Sequence, residues 1–312
     1  MNFNERELIR YVCEGDIRSA QKAAAIVLKA ITTQKDKDFC ERGLRLLNSK
    51  GPTLIELPYN LRDKLSAEDV SAFPVGRFLL RPSEAEVVDK VLNARKAASR
   101  LHELGMRYLP AAILYGDSGT GKTMLARYIA YRAGLPFVYV RFSGLVSSYL
   151  GGTAERINNI FDYVRSNPCV LCLDEIDYIG MKRGQEDEVG EMNRIVVALM
   201  QELDVTGNNC ILVGTTNRFD RLDPALVRRF PIQEEVLPLS EADAHTLAQM
   251  FLSSVNMLPD DDELCEIVSA VECKHSDSAP EMRSYTPDAI TTACNQYVVR
   301  RVLSEGEDGS ND

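Results

Sequence analysis

Between positions 116 and 123 the chain reads Gly116-Asp117-Ser118-Gly119-Thr120-Gly121-Lys122-Thr123, the spacing GxxxxGK[ST]. Each residue type in it has a physical task. The glycines allow a turn tight enough for backbone N–H groups to face phosphate oxygens, and a helix opening at Thr123 adds its positive end. The Lys122 ammonium can reach β- and γ-phosphates, and the Thr123 hydroxyl is a ligand for Mg²⁺. The cradle is expected to run from Gly116 through Met124. About fifty residues on, Val170-Leu171-Cys172-Leu173-Asp174-Glu175 is an apolar run ending in two carboxylates. Asp174 is expected to hold Mg²⁺ through water, and Glu175 to act as general base toward an attacking water. Together these residues would suit hydrolysis of a nucleoside triphosphate. It requires the two segments to meet, which would follow if their strands are neighbours in one sheet.

The elements that must position these residues alternate. The strand Ala111–Tyr115 enters the glycine-rich turn and the helix Met124–Ala133 leaves it. A strand at Phe137–Val140, a helix near Ala154–Arg165, the strand Val170–Leu173, a helix near Met192–Leu203 and the strand Ile211–Val213 follow. Alternation of this kind predicts an α/β fold, a P-loop three-layer αβα parallel sheet covered on both faces. A helical pattern from Ser83 to Leu104 precedes it, and residues 76–238 are assigned to this domain. Residues 239–303 read as a C-terminal helical lid without strands, and the acidic, glycine-containing tail 304–312 as disordered. Residues 1–51 read as a small helical region: one helix begins at Glu7-Leu8-Ile9, and Asp16 caps a second over Ile17–Ile31. A third covers about Lys35–Leu47. This region is either a stabilising extension or a docking module for an adaptor or substrate. Residues 52–75, with Pro52, Pro58 and Pro74, read as a linker.

Bulk properties narrow the class. A formal net charge of −10 argues against nucleic acid as a partner, because phosphate backbones are bound through basic surfaces. No apolar run approaches the roughly 20 residues that span a bilayer. The first residues carry Glu5, Arg6 and Glu7 and no apolar core of a secretory signal, so a cytoplasmic location is expected. The eight cysteines show no disulfide framework. Cys169 and Cys172 form a CxxC, but an offset of three on a strand places them on opposite faces, so they read as core thiols.

With these motifs in place, residues from about 75 to 303 resemble the AAA+ ATPases, and within them the AAA subfamily that remodels proteins. Gly214-Thr215-Thr216-Asn217-Arg218 looks like the family's sensor 1, which implies that Asn217 helps place the lytic water. Leu222-Asp223-Pro224-Ala225-Leu226-Val227-Arg228-Arg229-Phe230 is similar to its second region of homology, with paired arginines like those of the katanin, spastin and fidgetin branch. The resemblance implies that Arg228 and Arg229 reach the γ-phosphate of a neighbouring subunit as arginine fingers, neutralising charge on the transferred group. Tyr149-Leu150-Gly151 resembles the first pore loop, whose aromatic and aliphatic pair grips polypeptide, and 181–188 corresponds to the second. Asp117-Ser118 stands where many members carry two prolines, which leaves the glycines and lysine intact. No clear sensor 2 arginine is present. Ser284–Ala289 resembles the start of the lid helix over the nucleotide, and Ser284–Asp288 with Val75, Gly76 and Phe78 are the candidates for the base and ribose side.

The implied function is an ATP-hydrolysing, ring-forming protein unfoldase or remodelling chaperone. It would be a homo-oligomer, expected to be a hexamer, with ATP and Mg²⁺ as cofactors and a protein substrate. A nucleic-acid-dependent AAA+ ATPase, such as a loader or transposition regulator, is an alternative of another class. A nucleotide-controlled assembly switch is a third. These 312 residues contain no HExxH, and His102, His245 and His275 lie far apart, so any degradation would need a separate partner.

Overall fold

Three apolar runs without polar alternation, Ala111–Leu114, Val170–Leu173 and Ile211–Val213, are buried on both sides, which is the pattern of interior parallel strands. In the computed structural model, the described residues are 3–14, 17–30, 40, 61, 65–106, 108–142, 152–180, 189–207, 210–271, 274–276 and 279–308. They fall into two units, 1–53 and 54–312. The first holds helices α1 (Phe3–Glu14) and α2 (Ile17–Ala30), packed on each other. The third expected helix there lies outside the described residues.

The second unit carries β1 (Ser66–Glu68), α3 (Pro82–Glu103), β2 (Ala111–Tyr115), α4 (Lys122–Ala133), β3 (Phe137–Arg141) and α5 (Thr153–Ser166). It continues with β4 (Val170–Asp174), α6 (Asp177–Gly180), α7 (Val189–Val205), β5 (Ile211–Thr216), α8 (Pro224–Val227) and β6 (Ile232–Glu235). The sheet runs in the order β1-β3-β4-β5-β2-β6. Every neighbouring pair is parallel except β1 with β3. The expected αβα layering is therefore observed, with two differences. Residues 66–68, inside the stretch read as a linker, form an antiparallel edge strand too short to show a period-2 pattern. And β5 lies between β2 and β4, so the glycine-rich turn and the carboxylate strand are not neighbours.

One core cluster fills each face of the sheet. Ile157, Phe161, Ile195 and Leu199 of α5 and α7 pack with Ile113, Leu171 and Leu212 on one side. Val87, Val91, Leu125 and Ile129 of α3 and α4 pack with Leu114, Cys172 and Val213 on the other. Cys169 belongs to the first cluster and Cys172 to the second, as their offset on a strand requires. Both are free thiols.

The lid holds α9 (Glu241–Ser253), α10 (Asp261–Ser269), β7 (Lys274–Ser276), β8 (Ala279–Ser284) and α11 (Pro287–Asp308). Local signals set its helix starts: Ser240 accepts from the Asp243 N–H at 3.1 Å, and Asp260 and Glu263 form a reciprocal capping box. The reading of 239–303 as free of strands is wrong at β7–β8, an antiparallel hairpin. Its segments are short and polar, so no period marked them, yet Pro280 forbids a continuous helix and fits a two-stranded ribbon. Arg81 ties the lid's connection to the sheet domain. Its guanidinium donates to the carbonyls of Leu237 at 2.8 Å and Pro238 at 2.9 Å, and pairs with the buried Glu84 at 2.5 Å. Among the described residues, no helix is long and apolar enough to cross a membrane.

Candidate active site

Gly116 follows β2 with φ +138°, and a Cβ there would lie 2.5 Å from the Val236 carbonyl oxygen. Only glycine allows the chain to pass this close. The turn then opens α4 through Gly121, whose left-handed backbone is the helix N-cap. Consequently Ser118, Gly119, Thr120, Gly121, Lys122, Thr123 and Met124 all border one cavity of about 540 Å³. Gly116 and Asp117, expected in the cradle as well, are not among its lining residues. The Lys122 ammonium donates to the carbonyls of Gly116 at 2.9 Å and Asp117 at 2.6 Å. Burial lowers its pKa, and the charges of Asp174, Asp117 and Asp177 oppose that shift.

Although β5 intervenes in the sheet, the turn carries α4 back over the strand ends. Thr123 Oγ1 therefore donates to Asp174 Oδ1 at 3.4 Å. The same oxygen accepts from the Thr215 hydroxyl at the end of β5, and Oδ2 accepts from Tyr139 OH at 2.5 Å. A hydroxyl and a carboxylate side by side form an all-oxygen donor set. This suits Mg²⁺, which takes few protein carboxylates and completes its shell with phosphates and water.

Glu175 stands at the corner after β4 with φ +55°. For a residue with a Cβ that conformation costs roughly 1–2 kcal/mol. Tertiary contacts impose it: the Ile176 N–H donates to the Thr215 carbonyl at 3.0 Å, and Thr216 Oγ1 donates to Asp177 at 2.7 Å. The strained corner turns Glu175 into the cavity beside Asp174. Asn217, exposed at the end of β5, borders the same cavity. The following 3-10 turn, Phe219–Arg221, is anchored by Phe219 stacking on Tyr115 with ring centroids 4.2 Å apart.

On its other side the cavity is bounded by Pro74, Arg77, Phe78 and Leu79 and by Leu247, Phe251, Pro287, Asp288, Thr291 and Asn295 of the lid. Phe78, Pro287 and Asp288 were expected there. Val75, Gly76, Ser284, Tyr285 and Thr286 are not among the lining residues, and Arg77, Phe251 and Asn295 take part instead. Arg77 Nε donates to Ser254 at 2.9 Å while its guanidinium sits 5.0 Å from the Phe251 ring centre. Helical periodicity marks such lid residues as core and carries no sign of a ligand. Tyr139 and Thr215 were also missed, and only the pairing of β3, β4 and β5 brings them to Asp174.

Arg228 and Arg229 do not line this cavity. Phe230, fully buried against Gly214, pins their segment to the sheet. Arg229 forms a two-pronged ion pair with Asp204 at 2.9 and 2.7 Å and donates to the Ala225 carbonyl. Arg228 is exposed, its Nε 3.2 Å from the Pro224 carbonyl. Tyr149, Leu150 and Gly151, and the charged stretch 181–188, lie outside the described residues.

Residues 112–237 match the family model described as ATPase family associated with various cellular activities (AAA). The ATP-dependent zinc metalloprotease FtsH of Mycobacterium bovis is 40% identical over 152 residues, covering 46% of this chain and 20% of that protein. FtsH 3 of Symbiobacterium thermophilum is 39% identical over 149 residues, 46% of this chain and 23% of its own length. The peroxisomal ATPase pex6 of Schizosaccharomyces pombe is 29% identical over 271 residues, 84% of this chain and 27% of that protein. The chain thus spans between 20% and 27% of the length of these curated relatives.

Proposed function

We propose that this chain, whose residues 112–237 match the AAA family model, is a ring-forming AAA+ ATPase that remodels proteins, its active site completed by a neighbouring copy. The observation that carries this reading is the convergence of Lys122, Thr123, Asp174, Glu175 and Asn217 on one cavity bordered by the C-terminal helices. Bound Mg²⁺ would neutralise phosphate charge, held by Thr123 and through water by Asp174. Backbone N–H groups from Gly119 to Thr123 and the Lys122 ammonium orient the β- and γ-phosphates. Glu175 accepts a proton from the attacking water, which Asn217 holds in line. Arg228 and Arg229, which do not line their own cavity, act on the γ-phosphate of the adjacent subunit. Phe230 and the Asp204 pair set their position. Tyr149 and Leu150 grip polypeptide by apolar contact, which tolerates any sequence.

The test is stimulation. ATP turnover should rise with an unstructured protein and lose that rise in Tyr149→Ala, with nucleotide affinity unchanged. Stimulation by DNA or RNA in its place would overturn the protein-remodelling reading. Mixing Arg228→Ala/Arg229→Ala subunits with subunits lacking Lys122 should partly restore turnover; failure of that rescue would refute fingers acting between copies.

A further inference from the structure

We propose that Tyr139 is a positioning residue that holds the Asp174 carboxylate in its metal-binding orientation, with Arg141 aiming the Tyr139 proton. The inference rests on the ATPase reading above and adds residues that its motifs do not contain.

Three hydroxyls surround the carboxylate. Oδ1 accepts from Thr123 and Thr215, and Oδ2 accepts from Tyr139 OH at 2.5 Å. Thr123 belongs to the phosphate turn and Thr215 to the adjacent strand β5. Tyr139 arrives from the opposite neighbour, β3, where it pairs with Cys172 while Arg141 pairs with Asp174. Side chains two apart on a strand share a face, so Tyr139 and Arg141 stand on the side of the sheet toward which Asp174 points. The half-buried Tyr139 ring sits beside the buried Phe137 ring, with centroids 6.3 Å apart.

The direction of the hydrogen bond is also determined. A phenol has one proton and lone pairs on the same oxygen, whereas a guanidinium can only donate. Arg141 Nε lies 3.3 Å from the Tyr139 oxygen and occupies a lone pair. The proton is therefore left for Asp174. A neutral donor on Oδ2, with two threonine hydroxyls on Oδ1, restrains rotation of the carboxylate without adding a competing cation. Outer groups that orient a metal-site carboxylate, here one reaching the ion through water, typically change metal affinity or activity by about 10- to 100-fold when removed.

The experiment is binding of a fluorescent ADP analogue to the full chain, in excess Mg²⁺ and in EDTA. The ratio of the two dissociation constants measures what the metal contributes. For Tyr139→Phe, which keeps the ring and removes only the hydroxyl, that ratio should fall roughly tenfold or more with the EDTA value unchanged. Arg141→Met, at an exposed position that cannot disrupt the core, should reproduce part of the fall and covers the case in which Tyr139→Phe fails to fold. An unchanged ratio in both variants overturns the inference, as does an equal weakening in Mg²⁺ and EDTA, which would mark a merely structural role. Absence of binding by the unmodified chain would instead refute the nucleotide reading itself, and binding without any gain from Mg²⁺ would refute the assignment of Thr123 and Asp174.

Discussion

Replacing Gly116 by alanine is expected to cost far more than replacing Gly119, although both are cradle glycines with positive φ. At Gly116, φ is +138° and the new Cβ would meet the Val236 carbonyl oxygen at 2.5 Å. Val236 cannot retreat. Its N–H donates to the Tyr115 carbonyl at 2.7 Å, and its side chain is buried in the core beneath α4. Relief must come from moving the phosphate turn itself. At Gly119, φ is +81° and the Cβ would touch only the Thr286 side chain, at 3.4 to 3.6 Å, an ordinary contact. The Gly119→Ala cost is then the left-handed penalty alone, roughly 1–2 kcal/mol. For Gly116→Ala the sparsely populated backbone costs about 1–3 kcal/mol and overpacking against fixed backbone about as much again, near 4 kcal/mol in all. Expressed wholly in nucleotide binding, that is a loss of roughly a thousandfold. Expressed wholly in the fold, it is a melting temperature lower by about 8–16 °C. Measuring nucleotide affinity and thermal unfolding on both variants covers either route. If Gly116→Ala matched Gly119→Ala in both readouts, the close-approach argument would be refuted.

Three other expectations follow from the site and its supports. Glu175→Gln should lower turnover by about 10²- to 10⁴-fold while nucleotide still binds, since only the proton acceptor is removed; steady turnover in single-cycle assays would exclude Glu175 as the base. Phe230→Ala should destabilise the sheet unit by roughly 3–5 kcal/mol in denaturant unfolding, because a fully buried ring against Gly214 is replaced by a void. It should also lower turnover, by releasing the arginine segment. Arg81→Ala should cost roughly 3 kcal/mol, because it leaves the buried Glu84 without its cation and the Leu237 and Pro238 carbonyls without their donor. A loss below about 0.5 kcal/mol, the level of an exposed pair, would show that this tie is not needed.

Much of the molecule is written locally. GxxxxGK[ST] names the cradle because each of its residues works through its own backbone or side chain. The interior strands are legible because burial on both faces demands unbroken apolar runs, and α4 because glycines bound it at both ends. Asp174 and Glu175 are legible for a similar reason: carboxylates at the end of such a run emerge where the buried strand leaves the sheet. What stayed hidden depends on the order of the strands. The insertion of β5 between β2 and β4 is invisible to periodicity, yet it puts Thr215 on Asp174 and lets Thr215 and Thr216 brace the strained Glu175 corner. The pairing of β3 with β4 turns Tyr139 from an ordinary strand aromatic into the donor on Oδ2. The lid side of the cavity is hidden too, since Phe251 and Asn295 look like any helix residues until α9 and α11 fold over the turn. The sequence alone therefore determined which residues are candidates for the chemistry, because they lie within single short segments. Only the tertiary structure decided what holds them in place, because those contacts join residues 35 to more than 170 positions apart.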